Sequence, residues 1–309
     1  MRAIAISGFG QEPELMELPK PTPGPNGVLV RLHAAGLNPV DWKIAEGEFK
    51  TSGQTFPKVL GIDGAGVVEA VGPAVSAFRP GDQVYGQFKG SYAEYALASP
   101  VIARMPAGMI FTQAAAVPIA TTTAYNMVET AKIDQGRVVL VSGATGGVGQ
   151  QAVQFAANAG AKVIATATAD MAGHMRGIGA AELVDHSLRP VAEQVLQLHP
   201  GGIDVVLDTV STDPAALDQL AQTVRPGGTV VTTVFSADPA ALAAREITGV
   251  NLDNKASAEL LVLLADLIDA GRIKVHIDDV VPLSAAATAL AKNKAGRSRG
   301  KTVIEIQPR

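Results

Sequence analysis

Apolar and polar positions alternate in long blocks after about residue 110. Continuous apolar runs at 138–142, 162–166 and 205–208 are each followed by a stretch whose apolar residues recur at helical spacing. Strands that are apolar throughout are typical of a parallel sheet covered by helices on both faces. The order strand, helix, strand therefore predicts an α/β domain with a doubly wound parallel sheet and right-handed crossovers.

The part of the chain before residue 110 has a different pattern. Short β-like runs at Val28–Leu32, Val67–Val71 and Gln83–Tyr85 are separated by segments rich in proline, glycine and aspartate, which predicts a small antiparallel β domain. An amphipathic helix is predicted at Glu259–Ala270. The strand, helix and strand that follow, within residues 275–306, form either one more βα unit or a return of the chain to the first domain.

Composition narrows the class of protein. A length of 309 residues suits about two domains, and a net charge of −4 does not favour nucleic acid. The chain has no cysteine, which excludes disulfides, cysteine-ligated zinc, iron–sulfur clusters and a cysteine nucleophile. The apolar runs are far shorter than the ~20 residues of a membrane span, and the first residues lack the features of a signal peptide. We expect a cytoplasmic protein whose partners include neither nucleic acid nor membrane.

One segment has the form of a phosphate-binding loop. The apolar run Val138–Ser142 leads into Gly143-Ala144-Thr145-Gly146-Gly147-Val148-Gly149, and an amphipathic helix follows. Glycines at a strand–helix turn permit a sharp bend, a close approach of backbone N–H groups to a pyrophosphate, and tight packing of the helix on the strand. The positive end of the helix favours the anion. The predicted ligand is a dinucleotide, bound by Gly143, Thr145, Gly146, Gly147 and Val148.

The second strand of this domain bears on which dinucleotide binds. NAD-binding domains usually carry an acidic residue at the end of that strand, where it binds the ribose hydroxyls. Here the strand ends at Thr166-Ala167-Thr168, and Asp170 lies beyond it. The missing carboxylate permits a 2′-phosphate and favours NADP(H), while NAD(H) stays open. Candidate partners of that phosphate are Thr168, Arg176, His186 and the basic residues of segment 292–301.

Further motifs are spread over nearly the whole chain: Ala34–Lys43, Gly61–Val68, Gly81–Tyr85, Ser91–Tyr95, Pro118–Tyr125, Ala144–Gly149 and Arg299–Lys301. Together they resemble the medium-chain dehydrogenase/reductase superfamily, in its zinc-free quinone oxidoreductase (zeta-crystallin-like) branch with the related enone and alkenal reductases. The resemblance implies a GroES-like β domain at 1–112 and 276–309, and a Rossmann NADP-binding domain at 113–275.

The resemblance also bears on metal binding and on the reaction. Zinc-dependent relatives place a cysteine within the segment that reads Gly36-Leu37-Asn38 here, and a histidine within the one that reads Gly61-Ile62-Asp63. Both ligands are missing, so no zinc site is expected. Without a metal to polarise a C–O bond, hydride needs an acceptor that is already electrophilic. The expected activity is zinc-independent transfer of hydride from NADPH to a quinone or an α,β-unsaturated carbonyl.

The resemblance assigns cofactor-binding roles beyond the glycine loop. Residues that match Asn38 and Thr123 lie at the nicotinamide end in the family, and those that match Thr168 and His186 lie near the adenosine ribose. A lysine that contacts the 2′-phosphate in some relatives falls at Met171 here. The rest of the predicted cofactor-binding set consists of Phe235 and Arg299.

Three residues are candidates for the catalytic step. Lys43 matches a lysine close to the active site of the enone reductases, and its ammonium could donate to a developing enolate. Asn38 and Tyr85 are the other two. The alternatives are a surface lysine beside Trp42 and a tyrosine packed in the core.

The motifs leave two alternatives open. An enone or alkenal reductase for which quinones are incidental substrates has the same motifs, and so has a non-catalytic NADPH-binding protein.

A homodimer is also expected, because the last strand of the Rossmann sheet, near Thr248–Leu252, pairs with a second copy in the family and would otherwise be an open edge.

Overall fold

The computed structural model describes residues 1–50 and 52–307. The chain forms two compact units, one of residues 1–120, 256–271 and 275–309 and one of residues 121–255 and 272–274. This division differs from the predicted boundaries chiefly at 113–120 and 256–271, which pack with the first unit. The helix within 256–271 does so because Leu261 is part of a buried apolar cluster with Tyr85 and Val303.

Fifteen strands and ten α-helices are present in the described chain. In chain order they are β1 (Arg2–Ile6), β2 (Glu14–Glu17), β3 (Val28–Gly36), α1 (Pro39–Glu46), β4 (Lys58–Val59), β5 (Asp63–Val71), β6 (Gln83–Phe88), β7 (Tyr95–Arg104), α2 (Phe111–Ala115), α3 (Pro118–Thr130), β8 (Val138–Ser142), α4 (Gly147–Asn158), β9 (Lys162–Thr166), α5 (Ala172–Gly177), β10 (Glu182–Val184), α6 (Val191–Leu198), β11 (Ile203–Asp208), α7 (Pro214–Ala221), β12 (Val224–Thr232), α8 (Pro239–Ala243), β13 (Thr248–Asn251), α9 (Ala258–Asp269), β14 (Ile277–Pro282), α10 (Ala286–Lys294) and β15 (Lys301–Glu305). Short 3-10 helices lie at Ala169–Met171 and Leu283–Ala285.

The second unit is built on a six-stranded sheet. The strand order is β10-β9-β8-β11-β12-β13, and every neighbouring pair is parallel. In order of appearance along the chain this is 3-2-1-4-5-6, the order of a Rossmann domain. The predicted doubly wound parallel sheet is therefore confirmed. All six residues of β11 are buried, as expected for a strand covered on both faces.

The first unit is mainly antiparallel β structure. Its larger sheet has the order β14-β15-β3-β5-β6-β7, with β3 also paired to β7, and only β14 and β15 run parallel. A smaller sheet has the order β2-β1-β4. β15 pairs antiparallel with β3, so the end of the chain returns to this unit.

The core of the first unit contains charged side chains. Apolar residues such as Ile4, Leu32 and Ile304 fill it, yet Asp41 and Asp63 are both fully buried. Buried charges need polar partners, so these two carboxylates indicate a polar site inside the core. Within the described chain, every helix is too short or too polar to cross a lipid bilayer.

Candidate functional site

The glycine loop joins β8 to α4 in the second unit. Gly143 has a φ of +74°, a left-handed conformation, and a side chain there would press on Val210 Cγ1 at 2.6 Å. A Cβ on Gly149 would overlap the carbonyl oxygen of Gly143. One glycine is thus needed for the bend and the other for the close packing of α4 on β8.

The start of α4 offers backbone amides to an anion. Gly146 is the N-cap residue, and its carbonyl accepts the first helical hydrogen bond from the N–H of Gln150. The N–H groups of Gly147, Val148 and Gly149 come before that bond, so no carbonyl of the helix can satisfy them. The helix dipole places partial positive charge at the same point. Gly146, Gly147 and Val148 are only partly buried, so the loop has both the donors and the access that a dinucleotide pyrophosphate requires.

Thr166, the last residue of β9, holds the loop in place. Its Oγ1 accepts hydrogen bonds from the N–H of Gly143 at 3.0 Å and of Ala144 at 3.3 Å, and donates to the carbonyl of Val141 at 3.3 Å. The side chain is buried, so these bonds are shielded from water. No local pattern signals this role, because a threonine at the end of a strand is ordinary on propensity alone.

Gln150 connects the loop to α5. Its Nε2 donates to the carbonyl of Thr145 at 2.8 Å, and its Oε1 lies 2.8 Å from Nε2 of His174, the ring nitrogen that donates. Gln150 is buried in the first turn of α4. The carbonyl of Thr145 is therefore fixed from inside the protein, which leaves the amide side of the loop facing outward.

The predicted adenosine-binding residues follow two neighbouring strands, β9 and β10. The hydroxyl of Thr168 donates to Asp170 Oδ1 at 2.6 Å. His186 is exposed and follows Asp185. Hydrogen bonds from Ser187 lower the pKa of Asp185, and the nearby Asp170 opposes part of that effect. The carboxylates of Asp170 and Asp185 therefore lie close enough to influence each other, in the segments that follow β9 and β10.

Phe235 lies in the loop after β12. It has a φ of 60°, unusual for a residue with a side chain, and its ring is 63% exposed. Asn251 on β13 holds this loop, because its amide accepts from the N–H of Ala237 and donates to the Ala237 carbonyl, both at 3.0 Å. The loop thus presents a fixed aromatic surface. Thr123, also predicted to bind the cofactor, is buried in α3.

A second polar site is buried in the first unit, around the Lys301 ammonium. Nζ of Lys301 donates to Asn38 Oδ1 at 2.6 Å and to the carbonyl of Leu37 at 2.9 Å, and lies 3.9 Å from Asp63 Oδ2. Asn38 Nδ2 donates to the same Asp63 oxygen at 2.9 Å. The N–H of Ile119 in the first turn of α3 also donates to the Asp63 carboxylate, at 3.0 Å. The carboxylate therefore receives two hydrogen bonds and one ionic contact.

Asp41 completes this site. Its Oδ2 accepts from the Tyr92 hydroxyl at 2.6 Å and from the N–H of Asn38 at 2.8 Å. Burial raises the pKa of Asp41 to about 7 against these two hydrogen bonds. Burial also raises the pKa of Asp63 to about 6, less far because of Lys301 and Asn38. Burial lowers the pKa of Lys301, and the two carboxylates oppose that effect. We call Asn38, Asp41, Asp63, Tyr92 and Lys301 the buried polar centre.

The three candidate catalytic residues have different surroundings. Lys43 lies on α1 with 28% of its side chain exposed, 3.8 Å from a Glu48 oxygen. Asn38 is the N-cap residue of the same helix, and both ends of its amide are bonded within the buried polar centre. Tyr85 is fully buried on β6 and donates to the carbonyl of Leu261 at 2.6 Å, and burial raises its pKa. Only Lys43 has a partly exposed polar group.

The remaining predicted residue is Arg299, which is exposed just before β15. Its backbone N–H donates to Asp278 Oδ2 at 3.1 Å. Lys301, two residues further on, was among the candidate partners of the 2′-phosphate, but it is only 4% exposed and its ammonium is bonded inside the first unit. Sequence reasoning assigned no role to Asp63 or Tyr92, although both lie within motifs that it noted. A charged residue at the start of an apolar strand was the available signal for Asp63 and Lys301.

Two family models match parts of the chain. Residues 24–107 match the alcohol dehydrogenase GroES-like domain, and residues 178–304 match the zinc-binding dehydrogenase domain. The quinone oxidoreductase of Pseudomonas aeruginosa is 34% identical, over 98% of this chain and 99% of its own. The chain belongs to the medium-chain dehydrogenase/reductase superfamily, in its zinc-free quinone oxidoreductase branch. The first unit is therefore the GroES-like domain of this superfamily, as predicted.

Other members of this superfamily are also similar to the chain. The NADPH-dependent alkenal/one oxidoreductase of Arabidopsis thaliana is 30% identical, over 90% of this chain and 71% of its own. The solved structure of the quinone oxidoreductase from Coxiella burnetii superposes with a TM-score of 0.91 at 29% identity and covers 99% of both chains. The chain is thus a quinone oxidoreductase-like enzyme of the medium-chain dehydrogenase/reductase superfamily. Among residues 1–50 and 52–307, no three His, Cys, Asp or Glu side chains are grouped as metal ligands would be.

Proposed function

We propose that this enzyme transfers a hydride from NADPH to a quinone or an α,β-unsaturated carbonyl without a metal ion. The observation that carries the proposal is the start of α4, where the first-turn amides at the positive end of a 12-residue helix have no carbonyl partner within the helix, and Gly147 and Val148 are only partly buried. Glycines that admit no side chain hold these amides in place. The acceptor class is supported by the relatives, which include a quinone oxidoreductase and an alkenal/one oxidoreductase.

In this reaction the protein has to orient the cofactor and the acceptor and to stabilise the charge that develops on the acceptor. When NADPH is bound it supplies the hydride, and negative charge develops on the oxygen of the acceptor. Lys43 is the donor we assign to that oxygen, because a partly exposed ammonium can stabilise the charge and pass on a proton that water replaces. Its ion pair with Glu48, at 3.8 Å, is loose enough to leave ammonium protons for a ligand.

The choice of NADPH is supported by the end of β9, which carries no carboxylate within the strand. The Arabidopsis relative is named as NADPH-dependent. Exposed basic side chains of Arg176 and His186 stand in the segments after β9 and β10, where a 2′-phosphate is expected. Asp170 acts against the phosphate, and we expect it to limit the preference for NADPH over NADH.

Replacing Asp170 should therefore sharpen the preference. In Asp170→Asn the repulsion of a 2′-phosphate is removed, and we expect the affinity for NADPH to rise about fivefold relative to that for NADH, since the interaction is solvent-screened. Titration of nicotinamide fluorescence with each nucleotide measures this. The exposed Asp253→Asn is the matched control. An unchanged ratio of the two dissociation constants would show that Asp170 does not face the phosphate.

Activity is tested with the purified full chain. We expect it to bind NADPH and to consume it with 1,4-benzoquinone, 9,10-phenanthrenequinone or 1-octen-3-one. A much higher kcat/KM for the enone would make the chain an enone reductase for which quinones are incidental. Binding without turnover of all three acceptors would favour a non-catalytic NADPH-binding protein, and the absence of binding to either nucleotide would overturn the proposal.

We also propose a cytoplasmic homodimer. β13 is the last strand of the sheet in the second unit, and its pairing in the described chain is with β12 alone. An open edge of this kind is a ready site for pairing with a second copy. The absence of cysteine is compatible with the reducing cytoplasm.

A further inference from the structure

The ammonium of Lys301 is buried in the first unit. It stands at the first position of β15, with 4% of the residue exposed, and its contacts are Asn38 Oδ1, the Leu37 carbonyl and, more distantly, Asp63. Taking an ammonium out of water is costly, and a well-packed apolar side chain at such a place is often as stable or more so. Stability alone therefore does not account for the lysine, and the groups that it holds are the better guide.

The two groups to which the ammonium donates both belong to the turn between β3 and α1. The Leu37 carbonyl and the Asn38 side chain are both bound by the one ammonium, and Asn38 Nδ2 is tied to Asp63. With its oxygen and its nitrogen both committed, the Asn38 side chain has a single orientation. The turn therefore cannot rotate without breaking buried hydrogen bonds.

The same turn sets the first residues of α1. Asn38 is the N-cap residue, and its N–H donates to Asp41 Oδ2 in a capping box. Asp41 is in turn fixed by the Tyr92 hydroxyl. Trp42 and Lys43 come next on the helix, so their positions follow from how α1 begins. At the other end of α1, Glu46 pairs with Lys294 at the surface, where an ion pair contributes little to position.

We propose that Lys301 is a positioning residue of this reductase, whose buried ammonium fixes the start of α1 and thereby the place from which Lys43 acts. The inference rests on the proposed function in one respect, the role of Lys43. The fixing of α1 is a property of the protein without any ligand. It can be measured even if the enzyme proves to reduce nothing.

The chain offers a direct probe of α1, because Trp42 is its single tryptophan. Trp42 is partly buried and packs against the core of the first unit. In Lys301→Met, which removes the charge and keeps the length, we expect acrylamide to quench Trp42 roughly twofold more strongly, as the turn admits water. Lys162→Met is the matched control, since Lys162 also begins a strand but is exposed and pairs with Glu182. It should leave the quenching unchanged.

Chemical rescue separates charge from shape. Because the chain has no cysteine, Lys301→Cys can be alkylated at that one position in denaturant and refolded. Aminoethylation restores an ammonium on a side chain of lysine length, whereas carboxamidomethylation gives a neutral one. We expect the aminoethyl form alone to recover the Trp42 quenching of the parent protein, which is carried through the same refolding. Recovery by the neutral adduct as well would overturn the role of the charge.

Kinetics tests the link to Lys43. A small displacement of α1 should lower kcat about 100-fold in Lys301→Met, while the dissociation constant of NADPH, set by the glycine loop, should change less than about twofold. The double variant Lys43→Met/Lys301→Met should be no slower than the slower single variant, because both act through one group. Losses that multiply would show that Lys301 acts by another route.

The failures of the two proposals can be told apart. If the parent protein binds NADPH but reduces no acceptor, the proposed function fails, and the quenching of Trp42 still decides whether Lys301 fixes α1. If the parent protein is active and Lys301→Met is folded, active and unchanged in its quenching, the proposal for Lys301 fails while the function stands.

Discussion

The carboxyl group of Asp41 is fully buried, and only one of its two oxygens accepts hydrogen bonds from the described residues. Oδ2 receives the Tyr92 hydroxyl and the N–H of Asn38, whereas Oδ1 has no hydrogen-bond partner among the described residues. Burial is the largest influence on this group and raises its pKa to about 7. The folded protein therefore holds a proton on Asp41 at pH values where the unfolded chain has released it.

Stability should reflect that proton. The pKa of Asp41 is about 7 in the folded state against a usual value of 3.8, so the folded state binds more protons between those values. The free energy of unfolding should fall as the pH rises through this range, by at most about 1.4 kcal/mol per pH unit for one group, and should level off above it. Asp63 adds to the slope only up to its pKa of about 6.

Urea denaturation between about pH 5 and pH 8 measures this slope. In Asp41→Asn we expect the slope between the two folded pKa values, about 6 and about 7, to disappear. The exposed Asp253→Asn should keep the slope of the parent protein. A parent protein whose slope in this interval equals that of Asp41→Asn would show that Asp41 titrates in the usual range.

At the scale of elements, the proposed nucleotide site is formed by the junction of β8, α4 and β9. The backbone of the loop is bonded from below by Thr166, and α4 packs against the strand through Gly149. The amides of the first turn are therefore oriented before any ligand arrives, which lowers the cost of binding one. Changes at either contact should weaken the binding of the nucleotide.

Gly149→Ala tests the packing contact. A methyl group there would overlap the Gly143 carbonyl oxygen, so α4 has to shift away from β8. We expect the affinity for NADPH to fall at least about tenfold, as the first-turn amides move from their positions. Gly173→Ala, in the open surroundings of α5, should bind NADPH as before. Isothermal calorimetry gives both constants, and equal constants would contradict the assigned role of Gly149.

Thr166→Val tests the hydrogen bonds. Valine has nearly the same shape but leaves the N–H groups of Gly143 and Ala144 without this acceptor. We expect a loss of about 1–3 kcal/mol in the free energy of unfolding, together with weaker binding of NADPH. Thr229→Val on β12 is the control, since Thr229 lies on the same sheet away from the loop. Binding that is unaffected in Thr166→Val would show that the loop needs no support from β9.

The central strands of the second unit could be predicted from the sequence because they are nearly continuous apolar runs. β8 and β9 were predicted to the residue. The helices α2 and α8 have five residues each, too short for a periodic pattern, and were missed. The glycine loop could be predicted as well, because its strand, its glycines and the helix after it are adjacent in the sequence.

The buried polar centre could not be predicted in this way. Asn38, Asp63 and Lys301 are far apart in the sequence, and their contact depends on the pairing of β3 with β5 and with β15. Register of this kind is set by tertiary packing rather than by local pattern. The predicted roles of Thr123, Phe235 and Arg299 in binding the cofactor stay predictions, as do those of Thr168 and His186.

For the molecule as a whole, the open side of β13 is the feature that bears on assembly. The strand is short, four residues, and Thr248 is exposed at its start. Two copies related by a two-fold axis would place this edge against itself, so one substitution adds its charge to both sides of the same interface. A single substitution is therefore a sensitive test of the proposed homodimer.

Thr248→Glu should convert the dimer into a monomer at micromolar concentration, because it brings two added negative charges into one short strand pairing. Sedimentation velocity of the parent protein and the variant measures this. Thr212→Glu, on an exposed loop of the same unit, should leave the dimer intact. A parent protein that sediments as a monomer would contradict the proposal outright.

The return of β15 to the first unit has a consequence for the order of folding. One strand that pairs with β3 and the cation that Asp63 faces both come from residues 301–305, far along the chain from the other strands of this sheet. The sheet of the second unit is built from residues 138–251 alone. A chain that has formed its amino-terminal strands without β15 therefore still contains an acidic pair lacking its cation. We expect the first unit to become protease-resistant only once β15 has docked on β3.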